Sequence, residues 1–197
     1  MFNLEASSCF ASNATVRLVS GHLKRMSDLA IGDQVYVKRE DVVVSSAVLT
    51  VFRHYRHLIH FIDIYTTESN VSLRLTPTHS LLVLSQDRTT MSYSFARDVR
   101  VGEFVFTSDL RLLKVIDIKE ISFSKDYVYA PLTFEGTIIV NDIIASCYGT
   151  YAHSTMHMVT LLIRWWYYIL LQIRQMIQYE QLQTFTNNLI VFFLDSI

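Results

Sequence analysis

Short apolar runs and strict apolar–polar alternation recur along most of this chain, and both patterns predict β-strands. Between Thr15 and Tyr148 they are separated by turn residues, with almost no helical periodicity. The predicted strands cover residues 15–19, 35–37, 42–44, 47–52, 58–65, 71–75, 81–84, 104–106, 112–118 and 136–140. Many short strands of this kind indicate an all-β domain. Residues 53–56 are predicted to link two of the strands.

A bend between two apolar runs carries the first candidate functional residues. Residues 71–75 alternate in polarity, and residues 81–84 form a continuous apolar run. Pro77 lacks an N–H and fixes the bend between them. Thr76 and His79 are therefore held on a rigid turn with apolar walls, where a neutral imidazole can donate, accept or carry a proton near pH 7. A histidine with a purely structural part in the turn is the alternative.

One segment of the chain occurs twice, at residues 26–37 and 96–107. Each copy has a short turn, an apolar residue, a glycine, an acidic residue and then a strand. The matched pairs are Asp28/Asp98, Ile31/Val101, Gly32/Gly102, Asp33/Glu103 and Val35/Val105. Two copies predict a duplicated β domain with pseudo-two-fold symmetry, because a solenoid needs three or more repeats.

After Tyr148 the pattern changes to that of a helix. No glycine or proline occurs from Thr150 onward, and a helix of about six turns is predicted over residues 156–177. Arg164 and Arg174 interrupt its apolar run, which makes it a poor membrane span, since about 20 apolar residues are needed. A helix docked on the β domain and a helix lying at a membrane surface both fit this composition.

Composition excludes several classes of function. The 197 residues suffice for one domain with a core, and the net charge of -1 gives no electrostatic basis for binding nucleic acid. The two cysteines, Cys9 and Cys147, lie too far apart in sequence for a Cys-x-x-Cys metal or redox site. No metal or other cofactor is expected. Residues 1–8 are too short and too polar for a signal peptide.

Five motifs, in this order, resemble the autoprocessing (Hint, or Hog) domain of hedgehog and nematode-type hedgehog-related proteins. They are Cys9-Phe10 with Ala14-Thr15-Val16, then residues 29–35, 75–79, 130–141 and 145–148. The resemblance covers residues 9–148, and its last two motifs are specific to the hedgehog branch as opposed to inteins. An intein's terminal asparagine and following nucleophile are absent, so splicing is not expected.

The resemblance implies a Hint fold, which is a flat all-β disc with pseudo-two-fold internal duplication. It would occupy residues 9–150, after a short upstream remnant, 1–8, and before a mainly helical tail, 151–197. The implied reaction is self-cleavage between Ser8 and Cys9, with the chain's own N-terminal segment as substrate. Cys9 is expected to form a thioester, which a sterol or another nucleophile resolves. The implied setting is the secretory pathway or cell exterior, at a membrane, in cell–cell signalling.

The resemblance also implies roles for individual residues. Thr76 and His79 are expected to activate the scissile amide, with His79 protonating its nitrogen. The base for the incoming alcohol falls between residues 52 and 56. A gapless match gives Phe52, and the aromatic-x-acid pattern gives His54, which is favoured because nematode-type relatives often carry histidine there. Cys147 is expected near Cys9, to relay or shield its thiol or to form a disulfide with it.

The tail is expected to recruit sterol or a membrane surface. Trp165, Trp166 and Tyr168 suit an interface, where an apolar ring and a polar edge are both satisfied. Arg164 and Arg174 are predicted to reach lipid headgroups. The thioester chemistry is expected to lie in the β domain alone.

Ser8 departs from the family, which has glycine before the cysteine. A side chain at that position crowds the reacting carbonyl and restricts the backbone, so cleavage is expected to be slower. One alternative is a degenerate Hint domain that keeps the fold as a binding or structural module. Another is a membrane-associated protein whose tail dominates its function.

Overall fold

The computed structural model describes residues 9–68, 71–149 and 153–194, with residues 153–154 and 181–194 described by their backbone alone. Within these ranges, twelve antiparallel strands form one connected sheet, and two helices follow it. The strands are β1 (Phe10–Ala11), β2 (Thr15–Arg17), β3 (Leu23–Arg25), β4 (Gln34–Arg39), β5 (Val42–Thr66), β6 (Ser72–Leu75), β7 (His79–Leu84), β8 (Met91–Phe95), β9 (Phe104–Phe106), β10 (Leu112–Thr133), β11 (Thr137–Val140) and β12 (Ile143–Gly149). The helices are α1 (His153–Val159) and α2 (Leu161–Leu194). The predicted all-β domain with a mainly helical tail is confirmed.

The long strands β5 and β10 pair along most of their length, from Thr66 opposite Val115 to Val48 opposite Thr133. The predicted link at residues 53–56 is therefore wrong, because this segment lies within β5. Its side chains pack across the ribbon. The guanidinium of Arg53 lies 3.7 Å from the ring centroid of Tyr127, and the rings of Tyr55 and Tyr127 are 5.1 Å apart. Such contacts between half-exposed polar and aromatic residues leave no alternating hydrophobic pattern in the sequence.

The sequence repeat corresponds to two turns with the same hydrogen bonds. In the first, the Asp33 carboxylate accepts from the N–H of Ala30, and Gly32 donates to the carbonyl of Val48. In the second, the Glu103 carboxylate accepts from Arg100, and Gly102 donates to Val115. Both glycines have positive φ, 91° and 100°, a conformation that costs glycine little. The predicted duplication is thus visible in the backbone.

The strand order places the short β1 between β10 and β6. Phe10 on β1 is fully buried in the main core, which also contains Leu75, Leu81, Ile138 and Tyr148. Cys9, which precedes β1, is buried in a second cluster with Ala11, Ile59, Phe61 and Val128. The start of β1 therefore lies at the junction of two apolar clusters, and residue 9 is held within the sheet.

The helical tail packs on the β domain by one face of α2. Arg164 and Leu171, seven residues apart, are the buried side chains among residues 161–180, with exposed fractions of 1% and 5%. The opposite face is apolar and exposed, and includes Leu162, Trp166 and Ile173. Neither described helix combines the length and apolar character that crossing a bilayer requires.

Candidate active site

Cys9 is held by two hydrogen bonds to Thr76, the residue at the bend between β6 and β7. Its N–H donates to the Thr76 Oγ1 at 2.9 Å, and its carbonyl accepts from the Thr76 N–H at 3.0 Å. The N–H of Cys9 belongs to the peptide bond that joins residues 8 and 9. Thr76 is therefore placed to orient the amide that joins residues 8 and 9.

His79 lies on the same bend and is 1% exposed. Its N–H donates to the carbonyl of Thr76, and its ring packs on the ring of Phe10 with centroids 4.1 Å apart. The ring Nε2 lies 2.7 Å from the carbonyl oxygen of Ser146. A carbonyl oxygen only accepts, so Nε2 carries the proton of the neutral ring and its lone pair is on Nδ1. The ring is thus held against Phe10, the residue that follows Cys9.

Burial lowers the pKa of His79 to about 4, and the hydrogen bond to Ser146 opposes that shift. The ring is therefore neutral at pH 7. An imidazolium formed there is a strong acid, because the apolar surroundings disfavour the charge. A group of this kind accepts a proton only briefly and passes it on readily.

This pKa predicts acid-sensitive folding. Below pH 6.5 the unfolded chain protonates His79, while the folded chain does so only near pH 4. The free energy of unfolding is therefore expected to fall as the pH drops between these values, by about 3 kcal/mol in total. Urea denaturation at about pH 7, 5.5 and 4.5 measures the loss. His79→Gln should lack this component, and an unchanged pH slope in that variant would contradict it.

The two cysteines lie in different parts of the core. Both are buried, and neither forms a disulfide. The Sγ of Cys147 lies 3.7 Å from the Oγ1 of Thr133, within the main core cluster, whereas Cys9 belongs to the second cluster. Burial raises the pKa of Cys147 to about 11. Its thiol is protonated at neutral pH and is a poor nucleophile, and its part as a relay or shield stays a prediction.

His54 and Phe52 both lie on the side of the ribbon that faces Cys9. His54 is directly opposite Val128 and Phe52 is directly opposite Ala130, and both partners pack in the cluster of Cys9. Side chains of directly opposed residues share a face of the sheet. Burial, and secondarily the charge of Arg56, lower the pKa of His54. His54 is thus a neutral base at pH 7, and Phe52 has no group that titrates.

A cavity of about 360 Å³ opens beside this site. Its lining includes Thr76 and Pro77 from the bend, and Arg56, Leu58 and Val128 from the ribbon. Val128 contributes both to this cavity and to the cluster around Cys9. The cavity therefore borders the cluster in which Cys9 is buried. Within the described residues, no three histidine, cysteine, aspartate or glutamate side chains are arranged to hold a metal ion.

The Hint module family matches residues 2–191 of the chain. This chain belongs to the Hint family. Among its relatives, the hedgehog protein of Drosophila virilis is 33% identical over 154 residues, covering 75% of this chain and 31% of that protein. The hedgehog protein of Drosophila melanogaster is 32% identical over 154 residues, with shares of 72% and 31%. The similarity in sequence is thus to the hedgehog branch, and the chain spans about 31% of the length of these relatives.

Solved structures that resemble this Hint domain include inteins. A DnaB intein from Synechocystis has a TM-score of 0.59 at 17% identity, covering 71% of this chain and 98% of the intein. An intein from a hyperthermophile has a TM-score of 0.61, again at 17% identity, with shares of 71% and 99%. At this level of identity the likeness shows the fold alone. With the hedgehog relatives, it supports an autoprocessing domain.

The tail of the Hint domain differs in part from the sequence prediction. Trp165 and Tyr168 lie against the β domain, with ring centroids 5.0 and 5.3 Å from that of Phe134. Trp166 points away and is 62% exposed. The prediction that Arg164 reaches lipid headgroups is wrong, because its guanidinium is buried against the carbonyls of Phe134 and His157. Arg174 is exposed, and its part at headgroups stays a prediction.

Two residues of the site were not singled out from the sequence. Ser146 supplies the carbonyl that orients His79, and Phe10 supplies the ring on which His79 packs. Ser146 lies within the last hedgehog-like motif, so the motif marked its position but not its part. Ser8, the other residue of the predicted cleavage site, lies outside the described residues.

Proposed function

We propose that this Hint domain cleaves its own chain before Cys9 and transfers the upstream segment to a hydroxyl nucleophile, for which a sterol is the leading candidate. The observation that carries the proposal is the pair of hydrogen bonds between Cys9 and Thr76, beside the buried ring of His79. A purely structural corner has no need to bring a cysteine N–H, a hydroxyl and a neutral imidazole together. The hedgehog relatives support the coarser statement that the domain is an autoprocessing one.

The first step converts the amide into a thioester. The Cys9 sulfur bonds to the carbonyl carbon of residue 8, and the bond from that carbon to the Cys9 nitrogen breaks. The thiol proton moves to the nitrogen, which leaves as an amine. An amine is a poor leaving group unless it is protonated, so this proton transfer limits the step.

His79 and Thr76 supply what that step requires. The Nδ1 of His79 takes the proton, and the imidazolium returns it to the nitrogen as the carbon–nitrogen bond breaks. Its low pKa makes the return favourable. Thr76 Oγ1 accepts from the same nitrogen's N–H and so fixes the orientation of the scissile amide during the attack. The hydrogen bond to Ser146 keeps the other ring proton on Nε2 throughout, so that the exchange takes place at Nδ1.

The second step resolves the thioester. The hydroxyl oxygen bonds to the carbonyl carbon, the carbon–sulfur bond breaks, and the hydroxyl proton is transferred to the leaving Cys9 thiolate. An alcohol needs a base for this attack, and His54 is our candidate because it is neutral and shares the face of Val128. The cavity beside Thr76 and Val128 is the route by which the alcohol arrives.

The tail is the candidate for bringing the sterol or a membrane surface. Its outward face carries Trp166, Leu162 and Ile173, all exposed. Apolar and tryptophan side chains on one helix face suit the interface of a bilayer. Trp165 and Tyr168, which pack against the ring of Phe134 by edge-to-face and tilted contacts, border the same region. We place the reaction in the secretory pathway or at the cell surface, in cell–cell signalling.

A fusion with a reporter upstream of residue 1 tests the function. The fusion is incubated with buffer, dithiothreitol or sterol-containing vesicles, and each product is identified by intact mass. Dithiothreitol should release the reporter, and sterol should release it with one sterol added and one water lost. Release by dithiothreitol alone would overturn the sterol assignment. No release under any condition would favour a Hint fold retained as a binding or structural module.

His54→Ala is expected to separate the two steps. Thiol-induced release should stay within about twofold of wild type, because dithiothreitol provides its own thiolate, while sterol-dependent release should fall about 100-fold. In wild type, the sterol step should lose rate on acidification with an apparent pKa below 6.5, since the pKa of His54 is lowered. Phe52→Ala is the matched control on the same face. If both releases fall equally in His54→Ala, His54 is not the base of the second step.

A further inference from the structure

Arg164 is a charged residue of the tail that the β domain almost completely encloses, with 1% of its surface exposed. One Nη donates to the carbonyl of Phe134, and the other donates to the carbonyl of His157 at 2.6 Å. Phe134 lies in the turn between β10 and β11, and His157 lies in α1. Burying a guanidinium is costly, and the two carbonyls offset only part of that cost, because the buried Nε has no hydrogen-bond partner among the described residues. Displacing either carbonyl would leave a further donor unpaired, so Arg164 holds the two carbonyls in one arrangement.

The turn between β10 and β11, to which Arg164 donates, is also hydrogen-bonded to β12, the strand that orients His79. Gly136, at the end of this turn, accepts from the N–H of Cys147 at 2.8 Å. Ser146, the residue before Cys147, pairs with Thr137 across β11 and β12, and its carbonyl accepts from the Nε2 of His79. A displacement of the turn would therefore reach the imidazole through two hydrogen bonds. One joins the N–H of Cys147 to the carbonyl of Gly136, and the other joins the Nε2 of His79 to the carbonyl of Ser146.

A second set of contacts connects the tail to the same strand. The Oγ1 of Thr160 donates to the Tyr148 hydroxyl at 3.1 Å, and that hydroxyl lies 3.3 Å from the Nδ1 of His157. A Cβ on Gly136 would lie 2.6 Å from both His157 and Tyr148. The turn, α1 and the end of β12 are therefore in close contact, with no room for even a methyl group.

We propose that Arg164 is a positioning residue for His79, so that the tail from α1 to the first turns of α2 belongs to the cleavage machinery. Arg164 holds the turn at Phe134, the turn holds Cys147 and Ser146, and Ser146 sets the plane and tautomer of the imidazole. This inference rests on the proposed function, because it needs His79 to take part in thioester formation. It also changes the expected division of labour, in which the β domain alone carried that step.

The test uses the full chain with the upstream reporter and compares Arg164→Met, Arg164→Lys and Arg174→Met. Arg174 is exposed on the same helix and is the matched control. Thiol-induced release should fall about tenfold or more in Arg164→Met, because a small misplacement of a catalytic group lowers the rate steeply. Arg164→Lys keeps the charge and one donor and should recover part of the rate. Arg174→Met should keep the wild-type rate of thiol-induced release, because the part predicted for Arg174 is at lipid headgroups and this reaction is run without lipid.

A spectroscopic readout separates positioning from general loss of stability. The Nε2 proton of His79, hydrogen-bonded to Ser146, should give a slowly exchanging downfield imidazole resonance in wild type and Arg174→Met. That resonance should move or broaden in Arg164→Met at a temperature where circular dichroism shows a folded domain. Thr160→Val, which removes only the bond to Tyr148 and a helix-internal bond to Met156, is the milder variant if Arg164→Met does not fold. Its expected loss of release is about threefold.

The outcomes distinguish this inference from the function on which it rests. Folded Arg164→Met that keeps both the wild-type rate and the His79 resonance would overturn the positioning role. If Arg164→Met does not fold, wild-type rate and resonance in Thr160→Val would overturn it. If His79→Ala itself releases the reporter at the wild-type rate, the proposed part of His79 in the reaction fails instead. A loss of rate in Arg164→Met with an unchanged His79 resonance would also count against the route through Ser146.

Discussion

Replacing Cys9 with alanine is expected to abolish release of the upstream reporter, to below about one thousandth of the wild-type rate. In the scheme the Cys9 thiol is the protein group that attacks the scissile carbonyl in the first step, and neither Thr76 nor His79 can replace it. The cost in stability is small by comparison. Cys9 is fully buried among apolar residues, and loss of one sulfur atom from such a site costs about 1 kcal/mol.

Cys9→Ser is the matched variant that keeps a nucleophile. Its hydroxyl is far less reactive than a thiol, so it should form an ester slowly. That ester should yield to hydroxylamine and resist dithiothreitol, whereas the wild-type thioester yields to both. Release from Cys9→Ala at a measurable fraction of the wild-type rate would show that another group attacks the bond, and the assignment of Cys9 would fall.

The sequence was sufficient for the parts of the fold that depend on local signals. Gly32 and Gly102 adopt positive φ in matched turns, and each is followed by an acidic residue that closes its turn. These signals lie within four residues of one another, so a pairwise match of the chain with itself reveals them. Pro77 acts in the same local way, because its ring fixes the bend that brings Thr76 and His79 together.

The long ribbon could not be predicted, because it depends on pairing between distant residues. The side chains around Arg53 and Tyr55 are polar or half-exposed on both faces of the strand. The sequence there therefore does not alternate between apolar and polar residues. It is a strand because β10 lies opposite it, with Tyr127 and Tyr129 beneath the guanidinium of Arg53. Cross-strand pairs of this kind stabilise a sheet without any pattern within one strand.

Arg164 illustrates the same limit within the tail. An arginine in an apolar helix reads as a residue that extends toward water or headgroups, because an unpaired buried charge is costly. In the structure its two Nη groups donate to two backbone carbonyls, one in the turn at Phe134 and one at His157 in α1, while its Nε has no partner within the described part of the chain. Every residue has a backbone carbonyl, so the sequence alone could predict neither this site nor the carbonyl of Ser146 that orients His79.

At the corner formed by Thr76 and His79, the sequence predicted the position of the side chains but not their hydrogen bonds. The motif located the two side chains, and their polarity within an apolar region suggested chemistry. The direction of each hydrogen bond came only with the structure. The Cys9 N–H donates to the Thr76 hydroxyl, and His79 donates through Nε2 to Ser146. These directions decide which nitrogen carries the lone pair, and therefore which protonation the site can perform.

His79→Ala is expected to lower the rate of thioester formation by about 100-fold or more, because the amine then leaves without a proton donor. Added dithiothreitol should not rescue release, since it acts only on a thioester that has already formed. His79→Gln should be nearly as slow. Its side-chain amide can still donate to the Ser146 carbonyl, but it offers no basic nitrogen in place of Nδ1. Comparable defects in the two variants would therefore assign the loss to proton transfer rather than to packing on Phe10.

His22→Ala is the control for this experiment, because His22 is exposed and its Nδ1 lies 3.2 Å from the Ser20 hydroxyl, away from the buried corner. Thiol-induced release should proceed there at the wild-type rate. The rate of reporter release is followed by intact mass at several dithiothreitol concentrations. Release from His79→Ala that reaches the wild-type rate as dithiothreitol increases would mean that the thioester forms without His79. The Nδ1 lone pair would then have no part in the first step, and the imidazole would act only in holding β7 to β12.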